Sequence, residues 1–215
     1  MECNFTIKHY RETIALAKQK GYVFSIMRDY DKNIHHEKVI FMRHDVDMSI
    51  PNAMRFAEME NELGIKATYF IRLHCDYNIF SFRNYKFIKL LLKSGHEIGF
   101  HHEVDFSRIY EEDEKEFFSR ARKVLETVTG TKIAGVTPHE PSRIKTLVNE
   151  GNLKEFGMEY EGYSSKFTKD IKYISDSSCR WREGCMCEFI KKETPKLCIL
   201  VHPFWWYEQT PLENY

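Results

Sequence analysis

Two aspartates stand one residue apart in FMRHDVDMS (41–49), just after the apolar run KVI. In an extended strand, residues i and i+2 share a face, so Arg43, Asp45 and Asp47 point one way while His44 and Val46 point the other. Two carboxylates on one face repel unless a cation sits between them or they share a proton. A divalent metal satisfies one of them. The other, held close without ligating, can act as a general base on water. The structural alternative is a helix cap with a salt bridge to Arg43.

A second group lies in GFHHEVD (99–105). If the chain stays extended, Glu103 and Asp105 join His101 on one face. If it turns helical, Asp105 remains one turn from His101 and Glu103 does not. Imidazole with carboxylate suits zinc, or another divalent ion of similar preference. His102 should point away. His139 in TPHEPS and His202 in LVHPFWW each end an apolar strand, where an imidazole beside a metal can pass a proton to a leaving group. Either can equally be a turn residue. Trp205 and Trp206 can stack on a sugar ring or fill a core. Arg43, Arg180 and Trp181 complete the set of candidate substrate contacts.

The elements that must position these side chains alternate along the chain. HYRETIALAKQKG reads as a helix ending at Gly21, and residues 38–43 as a strand. Ser49 caps a helix with Pro51 in its first turn, which runs to Gly64. KATYFIR (66–72) is β-rich, NYKFIKLLLKSG is a helix closed by Gly95, and HEIGFH (96–101) is the next strand. A helix with an acidic start ends at Gly130. KIAGVTPH follows as a strand, then a helix near 145–156, then MEYEGY, KYISDS and KLCILVHPFWW. About seven strand-like segments, most separated by helices, have the rhythm of a parallel β/α protein. At 215 residues the chain is short for a complete eight-fold barrel of about 250 residues. The expectation is a single domain, 1–215, folded as a distorted or incomplete (β/α) barrel. Ligands bind at the carboxyl ends of strands in such folds. RHDVD, HHEVD, PHE, SDS and HPFWW all fall at that edge.

Bulk properties exclude some partners. Lys+Arg and Asp+Glu are both 32, so the formal net charge is zero, and no basic stripe marks a nucleic-acid surface. The first residues hold no apolar run long enough for a signal peptide or a membrane span. The six Cys sit at no regular framework spacing and read as reduced thiols of a cytoplasmic protein. Three of them fall in CRWREGCMC (179–187), whose C-x5-C-x-C spacing matches no common zinc knuckle.

Taken together, the motifs from about Lys38 to Trp206 resemble the polysaccharide deacetylase superfamily, also called the NodB-homology or carbohydrate esterase family 4 group. RHDVD resembles its first motif, ATYF and GHEIGFH the approach to its second, TPHEP its third and LVH its last. The resemblance implies a distorted barrel and metal-dependent removal of an acetyl group, most of all N-acetyl, from a saccharide, and the lack of an export signal directs the expectation to a glycan precursor. It implies Asp45 as general base, Asp47 and His101 as ligands of a divalent metal (zinc foremost) and His202 as general acid. His139 lies where the family has an Arg that orients the base, and takes a supporting role. The family's second ligand His falls four residues after the first, which here is Asp105, so the third ligand is Asp105 or Glu103. Two rivals remain: a metal-free amidohydrolase acting on a small cyclic amide, and an inactive saccharide-binding protein.

Overall fold

A computed structural model describes residues 3–103, 105–141 and 147–214. Among these, eight strands form one parallel sheet: β1 (Val23–Ser25), β2 (Val39–Val46), β3 (Thr68–Arg72), β4 (Glu97–His102), β5 (Gly135–Pro138), β6 (Tyr160–Glu161), β7 (Lys172–Ser175) and β8 (Lys196–Val201). The order is β6-β5-β4-β3-β2-β8-β7. The short β1, which the sequence reading misses, lies beside Val39–Phe41, while β3 runs beside Arg43–Val46. The path does not close, because β6 and β7 stand at its two ends. The sheet is therefore the incomplete barrel that the alternating segments predict.

Every residue of β2 is buried, as a central strand of a parallel sheet must be. Its pleat sorts the side chains. Val39 and Phe41 join Met27, Phe70, Tyr160 and Phe167 in a cluster inside the curl of the sheet. Ile40, Met42 and Val46 join the larger cluster formed with the helices outside. Arg43 and Asp45 continue the inner row, and His44 the outer one.

The helices are α1 (Ile7–Gln19), α2 (Tyr30–Asn33), α3 (Ile50–Glu62), α4 (Phe82–Ser94), α5 (Asp105–Ile109), α6 (Glu114–Thr129), α7 (Ser165–Thr168) and α8 (Met186–Lys191). Ser49 caps α3 by accepting from the Asn52 amide, with Pro51 in the first turn, and Gly95 and Gly130 close α4 and α6. The helix expected near 145–156 is not formed where the chain is described, and residues 145–146 lie outside the described set. Residues 147–152 make turns, and Leu153–Phe156 make a single 3-10 turn. Asn side chains compete with the helix here: Asn152 Oδ1 accepts the Asn149 amide at 2.8 Å, and Asn149 Oδ1 accepts the Gly151 amide at 2.9 Å. No helix among the described residues is long and apolar enough to cross a membrane.

Candidate active site

The carboxyl ends of β2, β4, β5, β7 and β8 open into a cleft of about 1060 Å³. Asp45, Asp47, His101, His139, His202 and Trp205 all line it.

Asp45 is held from below. The Arg43 guanidinium donates Nε–H to Asp45 Oδ1 at 2.8 Å and an Nη2–H to Oδ2 at 2.7 Å. Both side chains are buried. Burial opposes ionisation of Asp45, but Arg43 and then His101 overcome it and hold the carboxyl below its usual range. Arg43 is itself packed between the rings of Phe70 (5.1 Å) and Tyr163 (4.2 Å) and donates to the Gly162 carbonyl at 3.4 Å. Gly162 leaves the room for this. A Cβ there would lie 2.4 Å from Thr137 Cγ2 and 3.3 Å from Arg43 Nη1. Arg43 thus fixes Asp45 and is wholly buried, not a surface for substrate.

His101 Nδ1 lies 3.1 Å from the Thr137 carbonyl and 2.8 Å from Thr137 Oγ1. A carbonyl only accepts, so Nδ1 carries a proton, and in the neutral ring Nε2 then presents a lone pair. That lone pair faces Asp47 Oδ1 at 3.1 Å, an atom without a hydrogen-bond partner among the described residues. Two lone pairs at that separation need a cation or a proton between them.

His139 supplies a third donor. Its Nδ1 donates to Glu103 Oε1 at 2.9 Å, which leaves Nε2 free. Donor atoms of Asp47, His101 and His139 lie within 4.8 Å of one another. One carboxylate and two imidazoles, each His oriented through its other nitrogen, fit a zinc-type divalent ion. The structure therefore puts His139, rather than Glu103 or Asp105, beside Asp47 and His101. Strand β4 ends at His102, so the alternation that would carry Asp105 inward stops there. Asp105 opens α5 instead and does not line the cleft. Glu103 stands behind His139, shared with Arg72 at the end of β3.

On the opposite wall, His202 Nδ1 lies 2.6 Å from Asp176 Oδ1, and its Nε2 lies 3.8 Å from Asp47 Oδ2. Asp176 is fully buried at the end of β7 and also accepts the Trp206 indole N–H at 2.9 Å. Burial alone would lower the His202 pKa, but Asp176 outweighs it and raises it to about 9. Sequence reasoning placed SDS at a strand end without assigning Asp176 a role. Its one signal was a lone acid at that edge.

The aromatic candidates divide. Trp205 lines the cleft beside His202, with ring centroids 6.5 Å apart. Trp206 is fully buried against Phe5, Tyr10 and Phe56. Trp181 stacks on Phe5 away from the cleft. Arg180 is exposed and does not line the cleft, whereas Arg182 does.

No family model matches the chain, and no curated protein matches it. Solved structures do. BA3943, a CE4 family pseudoenzyme from Bacillus anthracis, matches with a TM-score of 0.50 at 16% identity, over 78% of this chain and 56% of that one. A BA3943 mutant with restored enzymatic activity matches at 0.50 and 15% identity, over 78% and 57%. The Streptococcus pyogenes deacetylase PplD, in complex with acetate, matches at 0.52 and 12% identity, over 94% and 84%. The chain thus has the fold of the polysaccharide deacetylase superfamily, as its motifs imply. It spans just over half the length of the BA3943 chains.

Proposed function

We propose that the chain removes an acetyl group, N-acetyl foremost, from a saccharide or glycan precursor, with a divalent metal held by Asp47, His101 and His139. Zinc suits this donor set best. What carries the reading is a base and an acid that each lie against one donor cluster: Asp45 Oδ2 is 3.6 Å from His101 Nε2, and His202 Nε2 is 3.8 Å from Asp47 Oδ2. The metal would supply Lewis acidity toward the acetyl carbonyl. Asp45, ionised and aligned by Arg43, takes the proton of the attacking water. His202, protonated and fixed by Asp176, gives its proton to the departing amine. Trp205 offers an apolar wall for a sugar ring. The cleft matches the upper end of ligand-pocket volumes, about 1000 Å³.

The test is acetate release from a panel of N- and O-acetylated sugars, run on metal-loaded and metal-stripped protein. Asp45→Asn should end turnover while the metal stays bound. Turnover by stripped protein would favour the metal-free amidohydrolase. The likeness to the pseudoenzyme BA3943 gives weight to an inactive saccharide-binding protein, which sugar binding without acetate release at any metal would support.

A further inference from the structure

A second donor cluster lies where α1 meets α8, outside the cleft. Cys3 precedes α1, His9 lies on it, and Cys185 and Cys187 begin α8. Cys3 Sγ and Cys187 Sγ are 3.2 Å apart, across 184 positions of sequence. His9 Nε2 and Cys185 Sγ are 3.1 Å apart, across 176. One donor atom from each of the four lies within 4.8 Å of the others. His9, Cys185 and Cys187 are buried, while Cys3 closes the cluster from the surface.

We propose that Cys3, His9, Cys185 and Cys187 form a structural zinc site. Three sulfurs and one imidazole nitrogen make the closed four-donor set of structural zinc, with no position left for water or substrate. Zinc–sulfur bonds of about 2.3 Å and zinc–nitrogen bonds of about 2.0–2.1 Å give tetrahedral edges of roughly 3.5–3.8 Å. The Cys3–Cys187 and His9–Cys185 separations of 3.2 and 3.1 Å lie just inside those edges, and no pair of donors is more than 4.8 Å apart. The donor set has no carboxylate, so it differs in softness from the cleft's and favours zinc over harder ions. Binding releases the three thiol protons to solvent. The C-x-C of α8 supplies only half of the ligands. The rest come from the other end of the chain, which is why the C-x5-C-x-C spacing matches no common knuckle. Cys179 is not part of the cluster; it is exposed and lines the cleft.

The site would staple the start of the chain to α8 and brace the acid of the cleft. The His9 ring stacks on Trp206 at 6.4 Å, and Trp206 holds Asp176, which holds His202.

The proposal is independent of the reading of the cleft, and acetate release plays no part in its test. Metal-stripped full-length protein is titrated with cobalt under reducing conditions. The expected result is a thiolate-to-cobalt charge-transfer absorption that saturates at a single equivalent once the cleft ligands are removed. It should persist in Asp47→Ala/His101→Ala and vanish in Cys185→Ser/Cys187→Ser. Zinc in place of cobalt should raise the thermal midpoint and shield these cysteines from alkylation. Absence of the thiolate band in the wild-type chain overturns the proposal without any variant. So does a Cys3–Cys187 disulfide found in metal-free protein, or zinc content unchanged by the cysteine substitutions.

Discussion

His139 donates through Nδ1 to Glu103 at 2.9 Å, while a donor atom of its ring lies within 4.8 Å of donor atoms of Asp47 and His101. A residue that the motif pattern assigns to support therefore stands beside the two proposed ligands, and an acid read as a ligand is its hydrogen-bond partner. His139→Ala should abolish tight metal binding in the cleft. Glu103→Gln should weaken it by about 10–100-fold, the usual effect of losing a ligand's orienting partner. Asp105→Ala should leave it unchanged. Metal titration of the three variants, with the thiol cluster blocked or counted separately, decides between them. Loss of the metal in Asp105→Ala with retention in His139→Ala would reverse the assignment.

On the proposed mechanism, activity falls as pH rises through about 9, where His202 loses the proton it would donate. Asp176 is the group that raises this pKa against burial. Asp176→Asn should therefore move the alkaline limb down toward the ordinary histidine range, about 6.5. The same shift has a stability counterpart. A pKa raised on folding gives stability that is full below about 6.5 and is lost as pH rises through the folded value. Thermal midpoints across that window should slope less in Asp176→Asn than in the wild type. An alkaline limb unmoved by the substitution would remove His202 from the acid role.

Arg43 and Asp45 form a wholly buried bidentate pair. Removing one partner of such a pair strands a charge away from water, at a cost of about 3–5 kcal/mol. Arg43→Met should lower stability by that order in denaturant titrations. Arg43→Lys should keep more stability but lose turnover, because an ammonium cannot hold both oxygens of Asp45 in plane. Equal turnover in Arg43→Lys would show that alignment of the base is not required.

Behind the sheet, Glu60 of α3 gathers a buried polar network. It accepts from Tyr10 at 2.5 Å and Tyr69 at 2.6 Å, and pairs with His44 Nε2 at 2.8 Å. Burial resists its charge, but His44 foremost keeps the carboxyl below its ordinary pKa. Glu60→Ala leaves two hydroxyls and an imidazole without their acceptor, and should cost about 3–5 kcal/mol. Equilibrium unfolding measures this directly, and a loss under about 1 kcal/mol would mean that water replaces the carboxylate.

Much of the fold was legible because its signals are local. Ser49, Pro51, Gly95 and Gly130 mark helix ends through their own backbone chemistry, and the apolar runs mark buried strands. The turn at 147–152 was misread because Asn149 and Asn152 bind the backbone themselves, which apolar spacing does not register. The three-residue β1 carries too little pattern to be seen at all.

The same boundary runs through the site. By itself the sequence determined that Arg43, Asp45 and Asp47 share a face and that His101, His139 and His202 reach one edge of the sheet, since the pleat and the parallel β/α order follow from short-range rules. Only the tertiary structure decided which donors meet. It replaced Asp105 by His139, gave Asp176 to His202, buried Trp206 while leaving Trp205 in the cleft, and brought Cys3 and His9 to Cys185 and Cys187. The physical reason is that donor geometry depends on where strands stop and how distant elements pack. Neither is written in the spacing of residues along the chain.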